Sequence, residues 1–335
     1  MKNKFLCFTI LGIFFAISLP MIASAEMRSV ERTFSVGTKS LSIQAICDSQ
    51  SIKKTESRLG EIGIEASSLY TRLIMTEQGE INALPPKKAF PLSQDMFELV
   101  SEGLKLSEET DGWFDIASAK RTSFAFTTKD WRRLKLDKEN KTISFKSKNM
   151  QIQLDEIFFA FLVDRLTERL SSEGYSNYSI CIDNSICRNN GNDIYTKWQY
   201  QVVLAGGEFA KRAYAYWVSD IAYTEITPEK LGDELTDAKS GDKVRQELLS
   251  ATAMAHKSTT ATAMAIAAYT VGPKGAEAFI KRYPQIKAII VTPKEMFTSL
   301  GMEYKSPDYQ KELQDITASP DLGPKDMKLR KKEEE

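Results

Sequence analysis

The sequence predicts an α+β fold, with mixed and antiparallel sheets covered by helices. Two periodicities carry that prediction. Alternating apolar and polar residues mark strands, as at Val30, Phe34, Val36, Leu41, Ile43 and Ala45. Apolar residues three and four apart mark helices, as at Phe97, Val100, Leu104 and Leu106. The two patterns mix without strict alternation, which argues against a regular parallel βαβ sheet.

In chain order, residues 29–47 read as two strands around a tight turn at Gly37. Residues 51–75 have near-helical apolar spacing, weakened by Gly60 and Gly63, and residues 76–91 read as a loop containing Gly79, Pro85 and Pro86. Ser93 opens a helix that Asp111-Gly112 stops. Trp113-Phe114-Asp115 follows; the bland expectation is a turn anchored by its aromatics, with Asp115 bonded to backbone. A polar hairpin spans 134–145. A strand from Met150, a helix from Asp155 to Gly174 and a strand at 178–182 form the best-defined unit. Aromatic strands at 198–203 and 212–217 precede a polar loop over 228–244.

The stretch Ser250–Gly272, rich in alanine and threonine, has no charge after Lys257 and almost no bulk. It reads as a helix packed closely on a sheet, capped by Ser258 or Thr259 and ended by Gly272. One more helix (275–282) and a buried strand (286–291) complete the pattern.

Composition removes several functions. The 335 residues carry 45 basic and 45 acidic side chains, so no basic surplus suggests nucleic acid. His256 is the sole histidine; a zinc site, a Ser/His/Asp triad or a bis-histidine haem would need more. A turn position is its plain reading. Residues 1–25 read as a signal peptide: Lys2 and Lys4, an apolar run from Phe5 to Pro20, then Ala23-Ser24-Ala25. Cys7 has no lipidation site before it, so a periplasmic protein rather than a lipoprotein is expected, with no second membrane span. In that oxidising compartment Cys181 and Cys187 could bridge a turn, leaving Cys47 over; without more ligands nearby, C-x5-C is not a metal signature. The expected organisation is signal 1–25, one domain over 26–305, and a charged, disordered tail over 306–335.

Five collinear blocks resemble the ApbE-type FAD:protein FMN transferases. They are Val36-Gly37-Thr38 (family Met-Gly-Thr), Glu80 to Leu84 (E-I-x-x-L), Thr110 to Asp115 (T-x-G-x-F-D), the crossing from Leu154-Asp155 to Val163-Asp164-Arg165, and Ala261 to Gly272. The resemblance implies the ApbE-like α+β fold and export. It implies FAD held with magnesium, and FMN moved onto a threonine or serine of a periplasmic or membrane flavoprotein acceptor. Carried over residue by residue, it places Gly37, Thr38, Trp113, Phe114, Asp115 and Asp155 at the cofactor. Glu234 and Asp237, in a loop similar to the family's H-I-I-D-P-x-T-G, take the catalytic positions.

The chemical residues depart from that pattern. The family's crossing, L-D-x-G-G-x-A-K-G-Y-A-V-D, becomes a run without glycine in which Phe159 replaces the lysine. Thr262 stands at the metal-binding aspartate and Ile266 at a hydroxyl ligand, so no family metal ligand is expected on that helix and magnesium loses its charged partner. Glu234 replaces the histidine, and Asp183-Asn184 replaces a glycine pair. The leading reading is therefore a degenerate homologue that binds a flavin or a partner. One alternative is an active magnesium enzyme with a rearranged site from Asp155, Glu156, Asp183, Glu234 or Asp237. Another is an assembly protein whose cleft is filled by Phe158, Phe159 and Phe161.

Overall fold

The computed structural model describes residues 26–119, 130–148, 150–194, 198–204, 212–231 and 248–299. The expected signal, the tail beyond 306, and Glu234 and Asp237 lie outside them.

β1 (Met27–Val36) and β2 (Lys39–Asp48) form the expected hairpin, paired from Met27 with Asp48 to Val36 with Lys39. Gly37 has a positive φ of 60° in the turn. α1 (Ile52–Tyr70) runs on through a π-helical stretch, Thr71–Glu77, into α2 (Gln78–Asn82). The expected loop therefore starts seven residues later than read, after Asn82. The hydrophobic residues Leu73, Ile74 and Ile81 are buried, and that packing outweighs the helix-weakening Gly79.

β3 (Phe90–Pro91) precedes α3 (Gln94–Glu109), whose N-cap Ser93 accepts the Met96 N–H at 3.3 Å. β4 (Ala117–Ala119), a 3-10 turn at Trp131–Arg133, β5 (Leu134–Asp137), β6 (Thr142–Phe145) and β7 (Met150–Ile152) lead to α4 (Asp155–Ser172). Then come β8 (Tyr178–Ile182), β9 (Ile186–Asn190), β10 (Trp198–Leu204), β11 (Arg212–Val218), β12 (Ile221–Ile226) and the short α5 (Pro228–Leu231). β13 (Ser250–Ala255), α6 (Ser258–Arg282), β14 (Lys287–Val291) and β15 (Met296–Thr298) complete the described elements.

An eight-stranded sheet has the order β1-β2-β8-β9-β12-β13-β14-β15, every neighbouring pair antiparallel. One face is covered by α1, α4 and α6, with α3 packed outside α4 and α6. Its core includes Leu41, Ile43, Tyr178, Ile180, Ala251 and Ala253. On the other face Ile46, Tyr223, Met254 and Ile289 meet Trp198 and Val218 of the separate β10-β11 pair. Cys181 and Cys187, directly opposed in β8 and β9, are joined by a disulfide; Cys47 is free and buried.

The alanine-rich stretch divides in two. Ser250–Ala255, ahead of the expected helix start at Ser258, forms a fully buried strand. Flanking partners on both sides, β12 and β14, supply backbone pairing that overrides alanine's helix preference. α6 then lays Ala261, Ala263, Ala265, Ala267 and Ala268 against its neighbours with no exposure, as small side chains permit close approach. Gly272 breaks the helix with a φ of 67°, and Pro273 begins its continuation.

The cap of α6 also differs from expectation. Lys257 occupies the N-cap position, and neither Ser258 nor Thr259 caps through its side chain. Instead Asp164 of α4 accepts the Ser258 and Thr259 N–H groups at 2.6 and 3.0 Å. A carboxylate from another helix thereby satisfies two otherwise orphaned donors and complements the helix dipole.

Candidate functional site

The β1–β2 turn, the π-helical stretch and the β7–α4 crossing meet at one place. Tyr70, immediately before the π-helical stretch, lies over Gly37, where an added Cβ would overlap the phenol ring. Here glycine serves close approach as well as a positive φ. The Tyr70 ring stacks on Phe159 at 5.8 Å and 23°, and meets Phe158 edge-on at 5.5 Å. Phe158 and Phe159 are themselves edge to face at 5.4 Å. Phe158, Phe159 and Phe161 are all buried. Burial first, and the nearby Asp155 charge second, push the Tyr70 hydroxyl above its ordinary value of 10.0, so it is protonated at neutral pH.

Asp155 sits in the first turn of α4, where the helix dipole favours an acid. Gln78 donates to its Oδ2 at 3.1 Å while its own Oε1 accepts the Leu154 N–H at 2.9 Å. One turn on, Asn82 brackets Ile152, accepting its N–H at 2.7 Å and donating to its carbonyl at 2.9 Å. The α2 amides thus fix the crossing through backbone, a role that the sequence reading assigned to neither residue. With residues 76–91 read as a loop, the i, i+4 spacing of Gln78 and Asn82 had no helix to belong to; α2 supplies it.

Asp183 holds the opposite side. Asp183 and Asn184 both have positive φ, 47° and 52°, in the β8–β9 turn, a conformation that Asn and Asp tolerate better than most residues. The Asp183 carboxylate accepts the Ser40 N–H at 2.8 Å and pairs with Lys39 at 2.9 Å. It therefore fastens this turn to the strand that follows Gly37-Thr38. Thr38 is exposed.

Trp113, Phe114 and Asp115 are set by the end of α3. Asp111 and Gly112 take positive φ, and Gly112 donates to the Ser107 carbonyl at 2.8 Å. The Thr110 hydroxyl donates to the Leu106 carbonyl at 2.8 Å and accepts the Phe114 N–H at 3.1 Å. Phe114 is buried and Trp113 half-buried against the main core. Asp115, also buried, accepts the Ala117 and Trp131 N–H groups at 2.8 and 3.0 Å. Backbone then brings this block to the crossing: Gln153 donates to the Ile116 carbonyl at 2.8 Å, and Ala117 pairs with Ile152.

On α6, Thr262 is buried and its hydroxyl lies 2.7 Å from that of Thr224 on β12. Ile266, one turn on, is buried. A divalent ion prefers several oxygens, most of them charged; a threonine pair and an isoleucine do not fit magnesium there. Among the described residues no three acidic, histidine or cysteine side chains group as metal ligands. Two surface grooves, of about 670 and 820 Å³, are lined by neither Gly37, Phe159 nor Thr262. His256 is exposed in the turn before α6, where its carbonyl accepts from Arg188 at 2.6 Å.

No curated protein matches this sequence. The fold is similar to that of the Pseudomonas stutzeri flavinyl transferase ApbE in its apo form, with a TM-score of 0.72 at 17% identity, covering 81% of this chain and 94% of that one. The Vibrio cholerae flavin transferase ApbE gives 0.68 at 16% identity over 82% and 98%, and the Thermotoga maritima ApbE protein 0.66 at 16% over 82% and 97%. The ApbE family pattern itself matches residues 65–290, two-thirds of the sequence. On that match, with the α+β architecture expected from the sequence, the chain belongs to the ApbE family.

Proposed function

We propose that this ApbE-family chain is an exported, periplasmic protein that has given up magnesium-dependent FMN transfer and works by binding a flavin or a protein partner. The stack of Tyr70 on Phe159 carries the reading. Phe159 stands where the resemblance calls for a lysine, and a buried phenylalanine can neither pair with a phosphate nor donate a hydrogen bond. The Thr262–Thr224 contact adds to it, because a neutral hydroxyl pair replaces the acid that magnesium requires.

The acids of this region are engaged within the fold, by backbone N–H groups or by neighbouring side chains. Asp155 is held by Gln78, Asp183 by Lys39 and Ser40, and Asp115 accepts two N–H groups. Gly37, Thr38, Trp113, Phe114, Asp115 and Asp155 are the residues we assign to the edge of a flavin site. FAD, the family's donor, would supply the flavin.

Incubating purified protein with FAD, with and without magnesium, tests the reading. Expected is no AMP release; steady release would overturn it. A magnesium enzyme using Glu234 and Asp237 would lose that release in Asp237→Asn. The burial of Phe158, Phe159 and Phe161 favours a second reading, a filled cleft and an assembly role. In that case a flavin titration shows no binding, and a periplasmic or membrane protein co-purifies.

A further inference from the structure

The outer face of α1 and the π-helical stretch carries an apolar stripe that the chain leaves uncovered. Ile64 is 73% and Met75 66% exposed, two of the three large hydrophobic residues so open among those described. Between them Ser68 and Thr71 are exposed and small. Spacings of four and three residues put Ile64, Ser68 and Thr71 on one face of α1 and its end, and four residues of the wider π-helical turn bring Met75 back near the same face. Small central residues flanked by larger ones let a second helix approach closely.

The flank of this stripe has opposite charges at its two ends. Glu61 and Glu65 stand toward the N-terminal end, with half or more of each side chain exposed, and Arg72 toward the C-terminal end, 45% exposed. Two antiparallel copies related by a twofold axis bring equivalent flanks together. Glu65 of one copy then meets Arg72 of the other, Ile64 meets Met75, and Ser68 meets Thr71. A parallel twofold pairing would carry this flank to the opposite side of the partner's helix, leaving Glu65 and Arg72 without each other.

We infer that this face binds a second copy of the same chain, antiparallel, about an axis between Ser68 and Thr71. Arg72 already pairs with Asp95 and lies 3.6 Å from Glu77, and Glu65 lies 3.7 Å from Arg58. The intermolecular ion pairs are therefore shared and set register more than affinity. One helix pair covers less than the roughly 1,200–2,000 Å² of stable interfaces, so the dimer is weak, with a Kd of about 10–100 µM. The inference is independent of whether flavin binds.

Sedimentation velocity across a concentration series reads it directly. Expected is a monomer–dimer equilibrium in that range, weakened at least about tenfold in Ile64→Lys/Met75→Lys, with an unchanged thermal melt because both side chains are exposed. The double variant Ser68→Cys/Thr71→Cys is expected to give a disulfide-linked dimer under mild oxidation, since Cys47 is buried and the other two described cysteines are bridged. A monomer at several times the expected Kd overturns the inference. So does a dimer unmoved by the lysine pair, or an absence of cross-linking in the cysteine variant.

Discussion

Phe159 is the side chain on which the proposed loss of FMN transfer rests. Its ring closes the Tyr70–Phe158 cluster over Gly37, so Phe159→Ala is expected to cost about 3 kcal/mol by transfer and cavity terms. Phe159→Lys should cost at least as much, because the ammonium enters an apolar site. Thermal melts with and without FAD and magnesium check this; recovery of the lysine variant by FAD would show that the phosphate site persists. Thr262 makes the complementary case. Thr262→Val leaves the Thr224 hydroxyl buried without its partner and is expected to cost about 1–2 kcal/mol. Thr224→Val/Thr262→Val should recover most of that loss in a double-mutant cycle. The replacements at Phe159, Thr262 and Ile266 were legible in the sequence because each stands at a position the resemblance specifies. The Tyr70 stack was not, since residues 70 and 159 come together only through the sheet.

At the scale of elements, two side chains fasten helices that the local sequence leaves incomplete. Asp164→Ala removes both acceptors from the first turn of α6 and is expected to cost about 1–2 kcal/mol. Asp164→Asn should retain part of that stability, and denaturant melts distinguish the two. Ser258 and Thr259 looked like caps because hydroxyls commonly fill that role; the carboxylate that does the capping comes from α4, and no local pattern announces it. The same limit explains β13. Ser250–Ala255 has helix-favouring composition, and only its neighbours β12 and β14 make it a strand. By contrast the β1–β2 hairpin, α3 and the β7–α4–β8 unit follow their own periodicity, turn residues and stop signals, and were readable directly.

At the scale of the whole molecule, a bidentate ion pair joins α1 to the end of α4. Arg58 donates to Glu173 at 2.6 Å through Nε and at 2.5 Å through Nη2. Arg58, foremost by these hydrogen bonds, holds the Glu173 carboxyl below its ordinary value of 4.5. A depressed carboxylate stabilises the fold fully above 4.5, and this contribution fades as pH falls through the lower folded value. Glu173→Gln is therefore expected to cost about 1 kcal/mol at neutral pH, with the gap from the parent narrowing in melts below pH 4.5. The eight-stranded sheet has a consequence of another kind. β2 pairs with β8 through Leu41 and Ile182, some 140 residues apart, and the final strands come from the far end of the described chain. During synthesis the first hairpin therefore waits, without its neighbour, until more than half of the polypeptide has emerged. Closing the central sheet is thus a late event, set by the long separation in sequence between β2 and β8.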